Sequence, residues 1–402
     1  MMTNVASMSD NKLRFDSFSE PFKEYKLGDI TETISRPIKM SDEKEYLLVT
    51  VKRRNEGIVE RGIYKGKEIK VKSQFEVATG DFLISKRQII HGACEIVPIN
   101  MSGAIVSNEY HILHGKQDLL LTEYLNLLSK TPKLKNFFAL SCVGVDIEKM
   151  LFRIEDWKKR VVKIPSIEEQ KKVVSFFDIF NRKLEKQRDK IEQLEQFKKG
   201  MMQKIFSQEL RFKDFDGGEF GEWEESTFGE IITTFSGGTP LSSNPKYYNG
   251  EIPFIRSGEI YSDKTELFIT DEGLQNSSAK IVNEGDLLLA LYGATSGEIA
   301  VSKINGAINQ AILCIRSKQH IPFIMYYWEY KKENILKTYL QGGQGNISAS
   351  IVKSIDISLP IIEEQIKIGS FFADIATKVE KEKKKLMVLE EQKKGFMQGI
   401  FV

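Results

Sequence analysis

The stretch "IPSIEEQKKVVSFF" (residues 164–177) returns near the end of the chain as "LPIIEEQIKIGSFF" (residues 359–372). The similarity continues without a gap through residues 164–206 and 359–401, and the copies end on the related segments "KKGMMQKIF" and "KKGFMQGIF". The two copies are too far apart for a solenoid, whose repeats are about 20–45 residues long. The repeat instead predicts that one architectural unit occurs twice in this chain.

Each copy predicts a long amphipathic helix. In the first copy, Ser166 followed by Glu169 is typical of a capping box, in which two side chains satisfy free backbone amides of the first turn. The second copy has Ile361 in place of the serine and keeps the acidic residues, which suit the positive end of the helix dipole, so its cap is predicted to be weaker. Apolar residues then recur at alternating intervals of four and three, the spacing of a coiled-coil seam. The predicted seam consists of Val173, Phe177, Phe180, Leu184, Ile191 and Leu194 in the first copy and Ile368, Phe372, Ile375, Val379, Leu386 and Leu389 in the second.

Two arrangements of these helices are open. They could be unrelated amphipathic helices that each pack on their own domain, but the gap-free match favours pairing with each other. An unbroken helix of this length would span about 60 Å. Because the first helix leads from the first half of the chain to the second, a two-fold related pair would run antiparallel.

The regions between the helices also repeat, although more weakly. The matching segments are "LGDI" (27–30) with "FGEI" (228–231), "GDFLIS" (80–85) with "GDLLLA" (285–290), and "GAIV" (103–106) with "GAIN" (306–309). In each half, short β-rich runs precede a helical stretch, which predicts a curled β-sheet with packed helices. We therefore predict an α+β protein in which two such domains are separated by two long antiparallel coiled-coil helices with pseudo-two-fold symmetry. The predicted segments are a flexible tail (1–19), a first domain (20–165), a first spacer helix (166–212), a second domain (213–358) and a second spacer helix (359–402).

Composition narrows the class of protein. The chain has 402 residues and a formal net charge of +2, without the strong basic excess of a simple nucleic-acid binder. If it binds DNA, its basic groups must be clustered or a partner must supply some of them. The scattered Cys94, Cys142 and Cys314 fit a reducing cytosol, and no run of 18 apolar residues predicts a membrane span, so we expect a cytoplasmic protein.

Taken together, these features resemble the specificity subunit of type I restriction–modification systems. The resemblance covers the chain beyond its N-terminal tail and is carried by the repeated helix segments and "GEWEESTFGEI" (221–231). The stretches "SGGTPLSSNPKYYNGEIPFIRSGEI" (236–260) and "GGQGNIS" (342–348) add to it. The first domain departs from the common pattern, because it lacks a "GGTP" block and carries "VTVKRRNEG" (49–57) instead.

The resemblance implies a non-catalytic DNA-reading subunit. Each target-recognition domain would read one half of a split site in double-stranded DNA, and the departure in the first domain implies two different half-sites. The paired helices would set the distance between the halves and dock two methyltransferase subunits, which restriction subunits would join. The chain itself would hold no cofactor, since S-adenosylmethionine, ATP and Mg would belong to the partner subunits.

Candidate DNA contacts follow from side-chain chemistry. Arginine and amide side chains can bind base edges bidentately, whereas lysine suits phosphate, and loops on a rigid sheet commonly carry recognition residues. The candidates are Lys52, Arg53, Arg54, Lys86 and Arg87 in the first domain, and Arg256, Ser257, Tyr292, Thr295, Ser296, Asn309, Gln310, Gln344 and Asn346 in the second. Each has an ordinary alternative: a solvated strand end, a glycine turn or a strand-edge hydrogen bond.

A self-contained DNA methyltransferase or nuclease is the main rival hypothesis. "NPKY" (244–247) resembles the Asn-Pro-Pro-aromatic motif of adenine methyltransferases, but a lysine replaces the second proline and no F-x-G-x-G cofactor loop is present, so we interpret it as a turn. "QGGQGN" (341–346) lacks the full phosphate-loop pattern. His111 and His114 have the spacing of a metal pair without a further ligand nearby, so we expect surface histidines and no metal. A purely structural coiled-coil adaptor is a third reading.

Overall fold

The structure is a computed structural model that describes residues 13–339 and 346–401. The chain divides into two compact units. The first unit runs to Gln187 and includes the segment from Lys385 onward, and the second unit is Arg188–Lys384. Each unit therefore contains one predicted domain together with parts of both predicted helices.

The first domain places most of its strands before its main helices. Its strands are β1 (Lys23–Lys26), β2 (Thr31–Ile34), β3 (Pro37–Ile38), β4 (Glu45–Val51), β5 (Ile58–Lys65), β6 (Gln74–Glu76), β7 (Phe82–Ser85), β8 (Cys94–Ile96), β9 (Ile105–Ser107), β10 (Tyr110–Gly115), β11 (Cys142–Val143), β12 (Leu151–Phe152) and β13 (Val161–Ile164). Its α-helices are α1 (Leu27–Ile30), α2 (Thr122–Ser129), α3 (Pro132–Leu140) and α4 (Ile154–Lys158). Short 3-10 helices lie at Arg53–Asn55, Gly66–Glu68, Ile89–His91, Ile99–Met101 and Ile147–Lys149.

Two larger sheets form the first domain. One has the order β2-β10-β7-β8 and the other β3-β6-β9-β4-β5, in which β4 and β9 pair in parallel. Strand β7 is buried on both faces, because Phe82 and Ile84 point into one hydrophobic core and Leu83 into the other. This explains why its sequence is continuously apolar instead of alternating.

The helical stretch predicted after these sheets consists of two helices in the structure, α2 and α3. Helix α2 ends at Ser129, and α3 begins at Pro132 with Thr131 as its N-cap, whose side chain accepts a hydrogen bond from the Leu134 N–H. A threonine cap followed by proline is a strong start signal for a new helix. The break lets Phe138 of α3 stack on Trp157 of α4, with 5.6 Å between ring centroids.

The first long helix, α5 (Ile167–Phe206), leads out of this domain. The second domain then follows with strands β14 (Glu224–Thr227), β15 (Ile232–Ser236), β16 (Tyr248–Ile255), β17 (Leu267–Ile269), β18 (Lys280–Val282), β19 (Leu287–Ala290), β20 (Ile299–Val301), β21 (Gly306–Ile308), β22 (Ile312–Ser317) and β23 (Asp356–Leu359). Its helices are α6 (Phe228–Ile231), α7 (Asp271–Gln275), α8 (Ile321–Tyr339) and α9 (Ala349–Lys353), with 3-10 helices at Pro245–Tyr247 and Ser257–Glu259. The last helix is α10 (Ile362–Ile400).

The second domain repeats the plan of the first. Its two larger sheets have the orders β15-β22-β19-β20 and β17-β16-β21-β18, and β16 and β21 again pair in parallel. Strand β19 is buried along its whole length, as β7 is. The "NPKY" segment is a turn, as interpreted from the sequence, because the Asn244 side chain accepts a hydrogen bond from the Lys246 N–H at the start of the 3-10 helix.

In the first unit, the start of α5 packs against the end of α10. Phe176 and Phe180 contact Phe396, with ring centroids 5.0 and 5.7 Å apart, and Phe177 contacts Phe401. Later residues of α5 therefore meet earlier residues of α10, since Phe180 and Leu184 form a cluster with Leu389. The two helix segments run antiparallel within this unit.

In the second unit, the end of α5 packs against the start of α10. Phe206 stacks on Phe372 at 5.8 Å, and Lys190 Nζ donates to Glu382 Oε1 at 3.0 Å. These contacts again have the order of an antiparallel pair. The residues predicted for the seam are buried, except Leu194 and Leu386, which are half-buried; the buried ones are Val173, Phe177, Phe180, Leu184, Ile191, Ile368, Phe372, Ile375, Val379 and Leu389. One end of the seam has a second role, because Val173 and Phe177 also belong to the core of the first domain.

The repeated "EEQ" fastens each helix to its own surroundings. In the first unit, both carboxylate oxygens of Glu169 accept hydrogen bonds from Arg14, at 2.9 and 2.7 Å. Gln170 accepts from the Leu121 N–H and donates to the Leu119 carbonyl, so its amide joins α5 to the loop before α2. The Glu169 N–H lies 3.4 Å from Ser166 Oγ, which is one half of the expected capping box, whereas the carboxylate binds Arg14.

The second unit uses the same device. Glu364 accepts hydrogen bonds from Arg211 at 3.2 and 2.6 Å and from the Trp223 indole N–H at 3.1 Å. Gln365 accepts from the His320 N–H and donates to the Pro360 carbonyl. The two acidic partners are almost completely buried, since the side chains of Glu169 and Glu364 are 4% and 0% exposed.

Residues 13–19, which the sequence analysis assigns to a flexible tail, have defined contacts. Arg14 binds Glu169, Phe15 packs edge-on against Phe176, and the Leu13 N–H donates to the Gly399 carbonyl at 2.8 Å. In the second unit, Arg211 and Phe212 make the matching contacts with Glu364 and Phe371. The short segments "LRF" at 13–15 and 210–212 are thus a further pair of repeats, and each precedes a domain.

Candidate nucleic-acid interface

The basic candidates of the first domain lie where neighbouring strands end. The loop after β4 begins at Lys52, and its parallel neighbour β9 ends just before Asn108. Lys86, which follows β7, is joined to this edge because its N–H donates to the Glu109 carbonyl at 2.9 Å and its Nζ donates to the Asn108 carbonyl at 2.5 Å. Three chain segments that are distant in sequence therefore meet at one edge of the domain.

Two of these basic groups have carboxylate partners. Arg87 donates to Glu109 at 2.8 Å, and Arg53 donates to Glu148 at 2.6 Å. All four side chains are about half-exposed, so each ion pair contributes only about 0–1 kcal/mol in water. Pairs this weak can open when a phosphate offers a stronger contact. Lys52 and Arg54 are exposed.

The candidates of the second domain lie at the corresponding edge. Strands β16 and β21 pair in parallel with Ile255 opposite Ile308, so Arg256 and Asn309 leave the sheet side by side. The loop after β19 joins them, because the Leu291 N–H donates to the Ala311 carbonyl at 2.8 Å. The Leu291 carbonyl in turn accepts from the Ile347 N–H at 2.9 Å, which brings the exposed Asn346 to the same place. Gln344 lies outside the described residues.

Arg256 is held by its own domain. Its guanidinium donates to Glu259 at 3.0 and 3.1 Å and to Glu266 at 2.5 Å. The hydrogen bonds to Glu259 and, to a smaller extent, to Glu266 raise the pKa of Arg256. Burial alone would raise the pKa of the Glu259 carboxyl group, but the hydrogen bonds from Arg256 and from the backbone lower it below its usual value. Contact between Arg256 and a base would require at least one of these pairs to open. Ser257 is half-buried beside it.

The glycine loop after β19 is internally braced. Gly293 and Gly297 have φ values of 85° and 82°, which side-chain-bearing residues rarely adopt. The Ser296 hydroxyl donates to the Leu291 carbonyl at 3.0 Å, so this side chain stabilises the loop. Tyr292 and Thr295 are half-buried and remain candidates for contact with DNA.

The two amides also have partners within the domain. Asn309 Oδ1 accepts from the Ala311 N–H at 3.1 Å, which is the local turn that asparagine often forms. Gln310 Oε1 accepts from the Thr239 hydroxyl at 2.7 Å, which joins the "SGGTP" segment to this edge. Position 237 in that segment has room only for glycine, because a Cβ atom there would lie 1.8 Å from the Ile308 carbonyl oxygen. Thr239 is thus a candidate that the sequence reasoning did not single out, although "SGGTP" was the signal.

Both domains build this edge on the same backbone pattern. The Lys86 carbonyl accepts from the Phe152 N–H in the first domain, as the Leu291 carbonyl accepts from the Ile347 N–H in the second. The Lys86 and Leu291 N–H groups likewise each donate to the loop that precedes the next strand, β10 or β22. The scaffold is shared, but the side chains on it differ, with lysine and arginine in one domain and tyrosine and amides in the other.

His111 and His114 of the first domain have separate partners and do not form a pair. Both are half-buried, which corrects the expectation of surface residues. His111 packs edge-on against Phe152, and burial lowers its pKa to about 4, whereas His114 Nε2 lies 2.7 Å from Asp81 Oδ1. Within residues 13–339 and 346–401, no group of three or more His, Cys, Asp or Glu side chains could hold a metal ion, and no helix there is long and apolar enough to cross a bilayer.

Comparison with known proteins identifies the domain type. The family described as Type I restriction modification DNA specificity domain matches this chain twice, at residues 19–196 and 221–391. The chain belongs to this family. The double match confirms the two-domain organisation and the family that the sequence analysis predicts.

Individual members of the specificity-domain family support the assignment. The putative type I restriction enzyme MjaX specificity subunit of Methanocaldococcus jannaschii is 28% identical over 310 residues, which are 71% of this chain and 70% of that protein. The MjaVIII specificity subunit of the same organism is 28% identical over 200 residues, which are 49% of this chain and 46% of that subunit.

Solved structures share the fold. The type I restriction–modification S subunit from M. genitalium has a TM-score of 0.60 at 14% identity, with 100% of this chain and 99% of that chain covered. A chain from a structure of type I R-M system assembly and conformational transition has a TM-score of 0.58 at 16% identity, with 95% and 98% covered. The mixed helix and strand fold with two domains, predicted from the sequence, is confirmed.

Proposed function

We propose that this chain is the DNA-binding specificity subunit of a type I restriction–modification complex and that each domain reads one half of a bipartite site. The observation that carries the proposal is the double occurrence of one domain plan, at residues 19–196 and 221–391, each of which includes most of an equivalent long helix. Phosphate contacts would position the two domains, and side chains at the strand ends would read base edges.

The two half-sites differ under this proposal. The strand-end edge of the first domain carries Lys52, Arg53 and Arg54, which suit phosphate and guanine. The edge of the second domain carries Tyr292, Asn309 and Gln310, and amides suit adenine. A shared scaffold with different side chains would give two readers of different preference.

The long helices would set the separation of the half-sites and dock two methyltransferase subunits. Helix α5 has 40 residues and α10 has 39, so each is about 60 Å long. Half-sites on one face of B-DNA lie about 34 Å apart or a multiple of that distance. The chain would perform no chemistry, and S-adenosylmethionine, ATP and Mg would bind to the methyltransferase and restriction subunits.

Exchange of the second domain should change one half of the recognised sequence. We expect that replacing residues 213–358 by the same region of another family member will alter one half-site and leave the other half-site unchanged, because the domains read independently. Sequencing of methylated bases in cells that express the hybrid with its methyltransferase would report both halves. The reciprocal exchange of residues 20–165 is the matched control, and a change of both halves in either hybrid would contradict independent readers.

A second experiment separates a specificity subunit from a self-contained methyltransferase. The purified chain, incubated with labelled S-adenosylmethionine and host DNA, should transfer no methyl group, whereas addition of its methyltransferase partner should give transfer. Methyl transfer by the chain alone would overturn the non-catalytic assignment.

A further inference from the structure

A basic cleft opens beside the loop after β4 in the first domain. It has a volume of about 350 Å³ and is lined by the basic side chains Arg53, Arg54, His91 and Lys135. These residues come from the hairpin loop, from the turn after β7 and from helix α3. Basic groups that converge on one cleft from three separate elements form a site suited to an anion.

A carboxylate of the same chain contacts two of the basic side chains that line this cleft. Glu148 Oε2 accepts from Arg53 Nη2 at 2.6 Å, and Glu148 Oε1 lies 3.2 Å from His91 Nε2. Two oxygens of one anionic group thus approach two basic side chains at once, which is the arrangement that two oxygens of a phosphate would make. Glu148 lies in the 3-10 helix Ile147–Lys149 between β11 and β12, and its side chain is half-exposed.

The backbone that presents the arginines is held in an uncommon conformation. Arg54 and Asn55 have φ values of 59° and 56°, in the left-handed region that residues other than glycine seldom adopt. The Lys52 N–H donates to the Gly57 carbonyl at 2.9 Å and the Asn55 N–H to the Gly92 carbonyl at 3.0 Å, so the loop is fixed at both ends. Strained conformations of this kind persist where the surrounding structure enforces them, and they cluster at binding sites.

We propose that this cleft binds a backbone phosphate of the DNA read by the first domain, and that Glu148 occupies the place of the phosphate in the unbound chain. The proposal rests on the DNA-binding function proposed above and adds to it a positioning site, with Lys135 of α3 as a phosphate ligand and Glu148 as an internal competitor. Binding of DNA would exchange the weak, half-exposed Arg53–Glu148 pair for an arginine–phosphate contact.

Lys135→Gln and Lys133→Gln form a matched test. Both lysines are exposed on α3, but only Lys135 lines the cleft. The probe is a fluorescein-labelled DNA duplex of arbitrary sequence, titrated with the full-length chain by fluorescence anisotropy at salt concentrations from about 50 to 200 mM. Because one phosphate contact contributes about 0.9 to the slope of log K against log salt, Lys135→Gln should reduce this slope by about 0.9 and Lys133→Gln should leave it unchanged.

Glu148→Gln should have the opposite effect to Lys135→Gln. Removal of the competitor should tighten binding about two- to fivefold, the range that corresponds to an exposed ion pair. In an Arg53→Gln background, the same substitution should give a smaller gain, since the carboxylate no longer has its arginine. This double-mutant cycle separates the specific competition from a general effect of removing a negative charge near DNA.

The outcomes distinguish the cleft from the wider function. If the wild-type chain binds the duplex but Lys135→Gln behaves as Lys133→Gln does, the cleft proposal is wrong and the DNA-binding function stands. If Glu148→Gln increases the affinity for DNA by the same factor in the Arg53→Gln background as in the wild-type chain, Glu148 is not an internal competitor. If the wild-type chain fails to bind DNA even with its methyltransferase partner, both proposals fail. Thermal unfolding of each variant checks that the first unit remains folded.

Discussion

Replacement of Arg211 by methionine is expected to lower the free energy of unfolding of the second unit by about 3–5 kcal/mol. Arg211 supplies two hydrogen bonds to Glu364, whose side chain is 0% exposed. Without the guanidinium, the carboxylate would keep the Trp223 indole N–H as a donor at 3.1 Å but would lose its counter-charge in a buried position. A buried charge left without its counter-ion is among the most destabilising changes known for single substitutions.

The measurement should be local as well as global. Urea unfolding followed by tryptophan fluorescence reports on all three tryptophans of the chain, of which Trp223 lies beside the pair. Hydrogen exchange of residues 362–372 is the local measurement and reports on the first turns of α10. We expect faster exchange there in Arg211→Met. Lys213→Met is the matched control, since Lys213 is an exposed basic residue two positions further along the chain.

A double substitution tests the cause. Arg211→Met combined with Glu364→Leu should recover most of the lost stability, because apolar replacement of both members of a buried ion pair is often neutral or stabilising. Equal stability of Arg211→Met and Lys213→Met would show that the ion pair does not hold the helix in place. The equivalent change in the first unit, Arg14→Met, should destabilise that unit through Glu169.

The role of this glutamate shows how far the repeated helix segment could be interpreted from sequence. Apolar spacing predicts the helices and their starts to within a few residues, because the period of a helix is a local property of the chain. The partner of Glu169 could not be found that way, because Arg14 is distant in sequence and no local rule joins them. The signal was present as a second repeat, "LRF" before each domain, which becomes meaningful once the pairing is known.

The candidate interface was likewise only partly predictable from sequence. Polar residues at strand ends could be selected by type, but which of them share an edge depends on the parallel pairing of β4 with β9 and of β16 with β21, strands that are not consecutive. Of the two ion pairs of Arg256, the one with Glu259 is local, since Glu259 follows it by three residues, whereas Glu266 comes from a separate turn. The presence of Lys135 in the basic cleft could not be predicted, because its helix begins at a break in the helical stretch that no sequence-based expectation included.

Aspartate in place of Leu389 should separate α5 from α10 in the first unit. Leu389 is buried in a cluster with Phe180 and Leu184, and the side chains around this cluster also belong to the two helices. The substitution removes an apolar side chain and places a charge without a partner in its position, which should lower the free energy of unfolding of the first unit by about 4 kcal/mol or more. Leu389 is a sharper test of helix pairing than Phe177, because Phe177 also packs in the core of the first domain.

Hydrogen exchange can distinguish loss of pairing from loss of the domain. In Leu389→Asp we expect faster exchange of residues 176–187 and 385–400, while strands such as β7, buried between the two sheets' cores, keep their protection. Val388→Asp is the control, because its side chain is 52% exposed on the same helix. If both variants exchange alike, the antiparallel contact does not hold these helix segments together, and the spacing role proposed for them loses its structural basis.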